Sequence, residues 1–351
     1  MKREKTSQLS FGDLQLQRRK VKSEFFNQIN TVIDWLPLRR LIEHVYTNGI
    51  SPTGRPGYDC MVLFRMELMR VWYGLSDGEI EEQVNDRLSF SRFAGVGMDE
   101  DVPDSTTLCR FRCTLVKSGI YDSLLSEVNR QLEDRHVMVT SGVIVDASVT
   151  DSPRRPKGRK EYEVVEDRRE NEQPDITNAR LVEKPGPGVD MEARWIKKAG
   201  KRHFGYKRHT VVNQDGLILA EETTPANESD IKHLETPLEK AGVANGTPVM
   251  ADKGYDSREN RSILSGMKLK SRIMHKAQKN RPLTRRETAI NKAISKMRYV
   301  VERTFGSMRR WFGAGVARYV GLAKTHAQHI MEAIAYNLYR TPGIIVSNCI
   351  K

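Results

Sequence analysis

The chain has 351 residues, 58 Lys+Arg against 45 Asp+Glu, and a formal net charge of +13. That length is ample for two or three domains, and 38% hydrophobic with 29% charged residues excludes a wholly disordered chain. No apolar run approaches the ~18–20 residues of a bilayer span. The basic start MKREKTSQLSFGD has no apolar stretch behind it, and Cys60, Cys109, Cys113 and Cys349 make no disulfide framework. The expected setting is therefore a reducing cytoplasm.

In chain order, residues 1 to about 140 read as helical. Met61, Phe64, Leu68 and Val71–Trp72 recur at helical spacing, as do Leu124–Leu125, Val128 and Leu132. Ser76 and Glu79 suggest a capping box opening a helix through Leu88. Pro103-Asp104-Ser105 opens another helix that closes at Gly119. Leu108, Phe111 and Leu115 form its core stripe; Thr107, Arg110, Thr114 and Lys117 form a second stripe, either a solvated face or one laid on DNA.

At Gly142 the period changes. Gly142–Ser148 reads as a buried strand ending in a carboxylate. Residues 151 to 200 are rich in charge, Pro and Gly, the expected pattern of a long loop or partly disordered charged insertion without a core of its own. His209–Ala220 is a hairpin turning at Gln214-Asp215-Gly216, Ser229–Ala241 a helix, and Pro248–Asp252 a second buried strand. A helix at 256–266, a short strand near Lys270–His275 and a long helix from about Arg285 to Phe312 complete the reading. The hairpin supplies an antiparallel pair, so the expected fold class is α/β: a ribonuclease H-like mixed sheet flanked by helices. An all-helical N-terminal domain precedes it.

The positive charge is concentrated. Between Met267 and Arg318, six Lys and nine Arg face only Glu287 and Glu302, so this stretch carries +13, the excess of the whole chain. Such a block is either a solvated face or a polyanion-binding surface, and phosphate neutralisation with counterion release favours nucleic acid. No amphipathic anchor or lipidation motif supports a membrane partner.

Asp146 and Asp252 each close an apolar strand, where an unpaired carboxylate is costly. On the long helix Ile290, Ile294, Met297, Val301, Phe305, Met308 and Phe312 give the packing stripe. Ser295, Arg298, Glu302 and Arg309 form the stripe beside it; Glu302 is either a salt-bridge partner of Arg298 or a ligand. Two aspartates on adjacent strands and a glutamate on a crossing helix can hold two divalent ions, Mg²⁺ or Mn²⁺, for in-line displacement at phosphorus.

At these residues the chain resembles the DDE transposases of bacterial insertion sequences, particularly the insertion sequence five group. The anchors are Gln8-Leu-Ser-Phe-Gly-Asp13, Leu75-Ser-Asp-Gly78, Pro103-Asp-Ser-Thr-Thr107 with Phe111-Arg112, Val145-Asp-Ala-Ser148, Gly205-Tyr-Lys-Arg-His209, Ala226-Asn227, Ala251-Asp-Lys-Gly-Tyr255 and Val301-Glu-Arg-Thr-Phe-Gly306. The resemblance implies that Asp146, Asp252 and Glu302 are catalytic and metal-binding. Arg298 matches the arginine of the family's tyrosine–arginine–glutamate–lysine signature. Ser295 stands where its tyrosine is usual and Arg309 where its lysine is; the arginine keeps the charge but can fork two phosphate oxygens. Only 49 residues separate Asp252 from Glu302, leaving no room for a large insertion there.

The resemblance further implies a domain at 1–140 that recognises terminal inverted repeats and a catalytic domain at 141–345, with the insertion at about 151–200. It implies double-stranded DNA as partner, both repeat ends and target, and self-association as a dimer or larger on that DNA at the bacterial nucleoid. Arg298, Arg309, Arg303, Lys253, Lys207, His209, Arg110 and Arg112 are the expected DNA contacts. A nuclease that cuts without joining and a DNA-binding repressor are the rival readings. Cys109 and Cys113 lack a second pair for zinc. Trp195 and Trp311 could stack on flipped bases, although packing beside Phe312 explains Trp311. Capping suffices for Asn227 and Asp230. No P-loop or G-x-S-x-G motif supports ATP or acyl-enzyme chemistry.

Overall fold

In a computed structural model the described residues are 24–47, 57–157, 161–166, 179–184, 186, 188–198, 200–277 and 281–349. The Gln8–Asp13 motif lies outside them, as does part of the 151–200 segment. Seven helices come first: α1 (Glu24–Val32), α2 (Trp35–Val45), α3 (Cys60–Tyr73), α4 (Asp77–Asp86), α5 (Leu88–Ala94), α6 (Ser105–Ser118) and α7 (Tyr121–Asp134). The Ser76/Glu79 capping box is present at α4, but the chain breaks at Arg87 and continues as α5. Asp104 caps α6 through its bond from the Thr107 N–H, and Gly119 ends it in the left-handed region at φ 69°.

Helix α3 shows more than the stripe read from its sequence, because nearly every residue from Cys60 to Trp72 is buried. The buried set includes two charges, Glu67 and Arg70, which are tolerated because they pair. The Glu67 carboxylate meets Arg70 Nη2 at 2.9 Å and Arg112 Nη2 at 2.7 Å. Arg112 also reaches Asp77 at 2.8 Å. Burial opposes ionisation of Glu67, but the two guanidiniums outweigh it and hold the carboxyl below its ordinary range.

The rest is β1 (Val143–Asp151), β2 (Glu161–Glu166), β3 (Ala179–Lys184), β4 (Arg194–Lys198), β5 (Lys201–Asn213), β6 (Ile218–Pro225), α8 (Glu235–Ala241), β7 (Pro248–Ala251), α9 (Arg258–Gly266), β8 (Lys270–Ile273), α10 (Arg285–Phe312) and α11 (Leu322–Cys349). Strands β2 and β3 pair as a separate two-stranded sheet, so the 151–200 segment is not simply a loop. The six-stranded sheet runs β4-β5-β1-β7-β8, with β6 also on β5. Strand β5 is antiparallel to β1, β4 and β6, while β7 is parallel to β1 and to β8. The mixed sheet is therefore as expected. Ser229–Ala241 is shorter as a helix than its sequence suggests: a 3₁₀ turn, Asp230–Lys232, precedes α8.

Two helices pack differently from the sequence pattern. On α10 the buried set is Ile294, Val300, Val301, Thr304, Met308 and Phe312, with Met297 40% exposed. Helix α11 was not anticipated: its sequence is not amphipathic because its middle, Ala327 to Leu338, is buried on all sides. It ties the first helices to the sheet. Trp72 Nε1 donates to Ala335 O (2.9 Å), and Asn337 Nδ2 donates to Asn129 Oδ1 (2.9 Å) and Ile218 O (2.7 Å). One apolar core runs from Phe26 through the sheet to Leu338. No described helix is long and apolar enough to cross a membrane.

Because Glu67 is buried with both arginines, Arg112→Met should leave its charge undercompensated. The expected loss is about 3–5 kcal/mol, read from the urea unfolding midpoint.

Candidate active site

The cleft follows from unequal pairing of β1. Its antiparallel register with β5 spans the whole strand, from Val143↔Asn213 to Asp151↔Gly205. Its parallel register with β7 covers only Val143↔Val249 to Val145↔Ala251. The strands part at the next residue of each, which are Asp146 and Asp252. Thus Asp146 does not end its strand; it stands where the neighbour ends. Its Oδ1 accepts from the Ala147 N–H (2.9 Å), and Asp252 Oδ1 accepts from the Lys253 N–H (2.7 Å).

Helix α10 crosses this opening. Arg298 Nη2 donates to Asp146 Oδ2 at 2.8 Å, and its Nη1 lies 3.4 Å from Asp252 Oδ1, so one guanidinium bridges both carboxylates. Burial works against the Arg298 charge, but Asp146, Asp252 and Glu302 outweigh it and raise its pKa. Glu302, one turn on, is exposed and does not join the pair. Arg309 Nη2 donates to Ser148 Oγ (2.7 Å) and Val149 O (3.1 Å) on β1. Ser295 is exposed on the same helix.

Sequence reasoning missed Tyr255. Its side chain is fully buried, and among the described residues its hydroxyl has no hydrogen-bond partner. Burial first, then the charges of Asp230 and Asp146, push its pKa well up, with Asp252 adding to them against Arg298. The "DKGY" motif signalled a turn; only the fold shows its tyrosine buried within the field of both aspartates.

The remaining expected DNA contacts divide into exposed and internal groups. Lys253 and Arg110 are exposed. Arg303 is exposed too, but turned towards the β5–β6 hairpin, donating to Asp215 O (3.2 Å) and lying over the Tyr299 ring (5.7 Å). Arg112, Lys207 and His209 are buried and do not present their side chains to a duplex. Arg112 is held by Glu67 and Asp77. The register pairs Thr210 with Asp146 and His209 with Ala147, which puts Lys207 and His209 on the sheet face opposite Asp146. Lys207 Nζ donates to Glu228 O and to Asp230 Oδ1 (2.7 Å), fixing the loop after β6. His209 shares a hydrogen bond with Thr224 Oγ1 (3.0 Å) and stacks on His233 (4.7 Å between ring centres).

Between those two, Arg208 points to the opposite face and is shared by Glu221 (3.1 Å) and Glu332 (2.7 Å). Burial, despite Arg208 and with Glu332 nearby, pushes Glu221 up to about 8. Among the described residues, no group of three or more His, Cys, Asp or Glu side chains is gathered closely enough to hold a metal ion. Cys109 and Cys113 are unpaired thiols. Trp311 packs against Tyr339 (5.0 Å), Tyr336 (6.1 Å) and Phe312 (6.3 Å).

Residues 138–338, more than half of the chain, match the family described as the transposase DDE domain, and residues 14–113 match a further transposase domain. The chain belongs to the DDE transposase family. This transposase is 39% identical over 233 residues to the transposase for insertion sequence element IS1106 of Neisseria meningitidis serogroup B, covering 66% of this chain and 76% of that one. Among solved structures, the piggyBac transposase synaptic complex with hairpin DNA covers 93% of this chain and 75% of its own at 9% identity, with a TM-score of 0.42. A pre-cleavage Mos1 transpososome covers 94% and 98% at 9% identity, with a TM-score of 0.22. Family membership makes the protein an insertion-sequence transposase, an enzyme of DNA cleavage and strand transfer.

The buried His209 of the transposase gives a pH test. Burial, then His233, lowers its pKa from 6.5 to about 4, so the folded ring is neutral at pH 7. A depressed pKa contributes stability that is present above about 6.5 and lost as pH falls through about 4. His209→Gln should therefore flatten the decline of Tm between pH 6.5 and 4, measured by thermal denaturation across that range.

Proposed function

We propose that Asp146, Asp252 and Glu302 are the catalytic carboxylates of this transposase, with Arg298 and Arg309 as its nearest phosphate-binding cations. The observation that carries the reading is the single guanidinium shared by the two aspartates where β1 and β7 part. Two carboxylates that share one cation are close enough to share another, and their oxygens are hard donors suited to Mg²⁺ or Mn²⁺. Glu302 completes the set on this reading by turning its exposed side chain towards them. When two divalent ions are bound, they supply activation of the attacking oxygen and stabilisation of the leaving oxygen.

The chain's own groups do the rest. Asp146 and Asp252 are held rigidly, each by the backbone N–H that follows it. Arg298, displaced from the carboxylates, becomes available to a DNA phosphate. Arg309 offers a forked guanidinium along the same strand. Water attacks the phosphodiester at the element's end and the P–O3′ bond breaks, freeing a 3′-hydroxyl. That hydroxyl then attacks a target phosphodiester in the same cleft, joining the two DNAs as the target's own 3′-oxygen leaves and is protonated.

The strand order and directions support a ribonuclease H-like catalytic unit at 141–345, and the sequence anchors support the insertion sequence five group. Helices within 1–140, with Arg110 exposed on α6, would recognise terminal inverted repeats. Two ends must be held at once, so the working form on DNA is a dimer or larger assembly.

Asp146→Asn, Asp252→Asn and Glu302→Gln should each lower cleavage and joining of duplexes bearing the element's ends by about 10³-fold or more, with DNA affinity largely retained in a gel-shift assay. Full activity in any one would remove that residue from the site. Calcium should support binding with little turnover; equal joining rates in Ca²⁺ and Mg²⁺ would count against this metal chemistry.

A further inference from the structure

Beyond its pairing with β1, the start of β5 (Lys201–Gly205) forms a ribbon with β4, and of the ribbon's residues the sequence reading named only Trp195, as a base-stacking candidate, and Gly205, in the Gly205–His209 motif. Its register runs from Arg194↔Gly205 to Lys198↔Lys201. From Arg194 to Arg202 it carries five cations and no acid. Arg194 is tied to the Met191 and Ala193 carbonyls, and Lys198 to Ala147 O. Lys197, Lys201 and Arg202 are exposed, and among the described residues they make no ion pair. Trp195, 47% exposed, shares their ribbon, its ring tilted at 52° against Phe204 with 5.2 Å between ring centres.

Two features make this more than a solvated hairpin. The register sets Lys197 opposite Arg202 and Lys198 opposite Lys201. Like charges directly opposite across a strand pair are destabilising, so the ribbon holds two successive repulsive pairs that an anion would relieve. The second is its location. Lys201 lies eight residues before His209, the partner of Ala147, which in a straight strand is about 26 Å. Yet Lys198 Nζ reaches Ala147 O at 3.0 Å, next to Asp146. The ribbon, an edge of the same sheet, therefore curls back towards the cleft instead of running straight on from β1. Gly205 sits at its root, where a Cβ would run into the Thr150 carbonyl oxygen and the Ser152 nitrogen.

We propose that this ribbon is a second DNA-binding element, closing over the duplex being cut beside Asp146. Lys197, Lys201 and Arg202 meet backbone phosphates, and Trp195 lies against a sugar or base. A two-stranded ribbon has the dimensions to enter the major groove. The location at the scissile phosphate rests on the active-site reading above; the DNA contact itself does not.

The test uses the full chain and a duplex containing the DNA that flanks its gene. In Lys197→Gln/Lys201→Gln/Arg202→Gln, the slope of log affinity against log salt should become shallower by about 2.7, or 0.9 for each lost phosphate contact. The Tm of the free protein should hold or rise as the repulsion is removed. An unchanged slope with an unchanged Tm overturns the proposal. If the triple variant fails to fold, Lys197→Arg/Lys201→Arg should fold and keep the wild-type slope; a lost slope there also overturns it. Trp195→Cys should cross-link to a thiol-bearing duplex only when the thiol is within a few nucleotides of the cleavage position. Cross-linking elsewhere on the duplex would keep the ribbon as a DNA contact but move the active site, whereas no cross-link anywhere would refute the contact. Asp146→Asn, examined in parallel, tests the carboxylates independently because its salt slope should not change.

Discussion

Strand β1 is hydrogen-bonded to β5 along its full length but to β7 over only three residues. Beyond Val145 its second edge faces no strand, and main-chain groups in the interior of a protein cannot be left unpaired without substantial cost. That edge is satisfied by other means. Ala147 O accepts from Lys198 and Val149 O from Arg309, while Asp151 exchanges bonds with Gly315 and Ala317. Two of the cations nearest the carboxylates are thus drawn there by the backbone. The early stop of β7 opens the cleft beside Asp146, leaves Asp252 just past the end of its own strand, and recruits the positive charge that surrounds them.

The same economy appears inside. One guanidinium, Arg208, serves Glu221 and Glu332; one carboxylate, Glu67, serves Arg70 and Arg112. Each set is satisfied only if elements distant in sequence arrive together, since losing one partner strands a buried charge. These sets hold α3 to α6, and β5 to α11. They use residues that a composition-based reading assigns to the surface.

That explains which parts of the molecule the sequence disclosed. Capping residues act locally, so Ser76/Glu79 and Asp104 marked their helices correctly. The apolar runs before Asp146 and Asp252 marked strands: Val143–Val145 is buried on both faces, and Pro248–Ala251 keeps apolar residues even at its half-buried positions, so neither shows polar alternation. Burial on all sides has the opposite effect on helices: α3 showed only a partial stripe and α11 none. Charge was the least legible property. Nothing in the spelling of Gly205–His209 tells that Lys207 and His209 face away from Asp146; strand parity and register decide it. Arg112 looked like its exposed neighbour Arg110, two residues away, until α3 supplied Glu67. In the 151–200 segment, overall polarity hid the β4–β5 pairing.

The bond from Trp72 to Ala335 spans 263 residues, and Asn337 closes a second such link to Asn129. During synthesis the first helices therefore emerge long before the surface that covers them. Until α11 leaves the ribosome, α3 has no partner on that side and Asn129 no mate for its side-chain carbonyl. The nascent chain must keep much of its apolar surface waiting, a state suited to chaperone capture. Copies interrupted anywhere before α11 would leave that apolar surface uncovered and Asn129 without its partner.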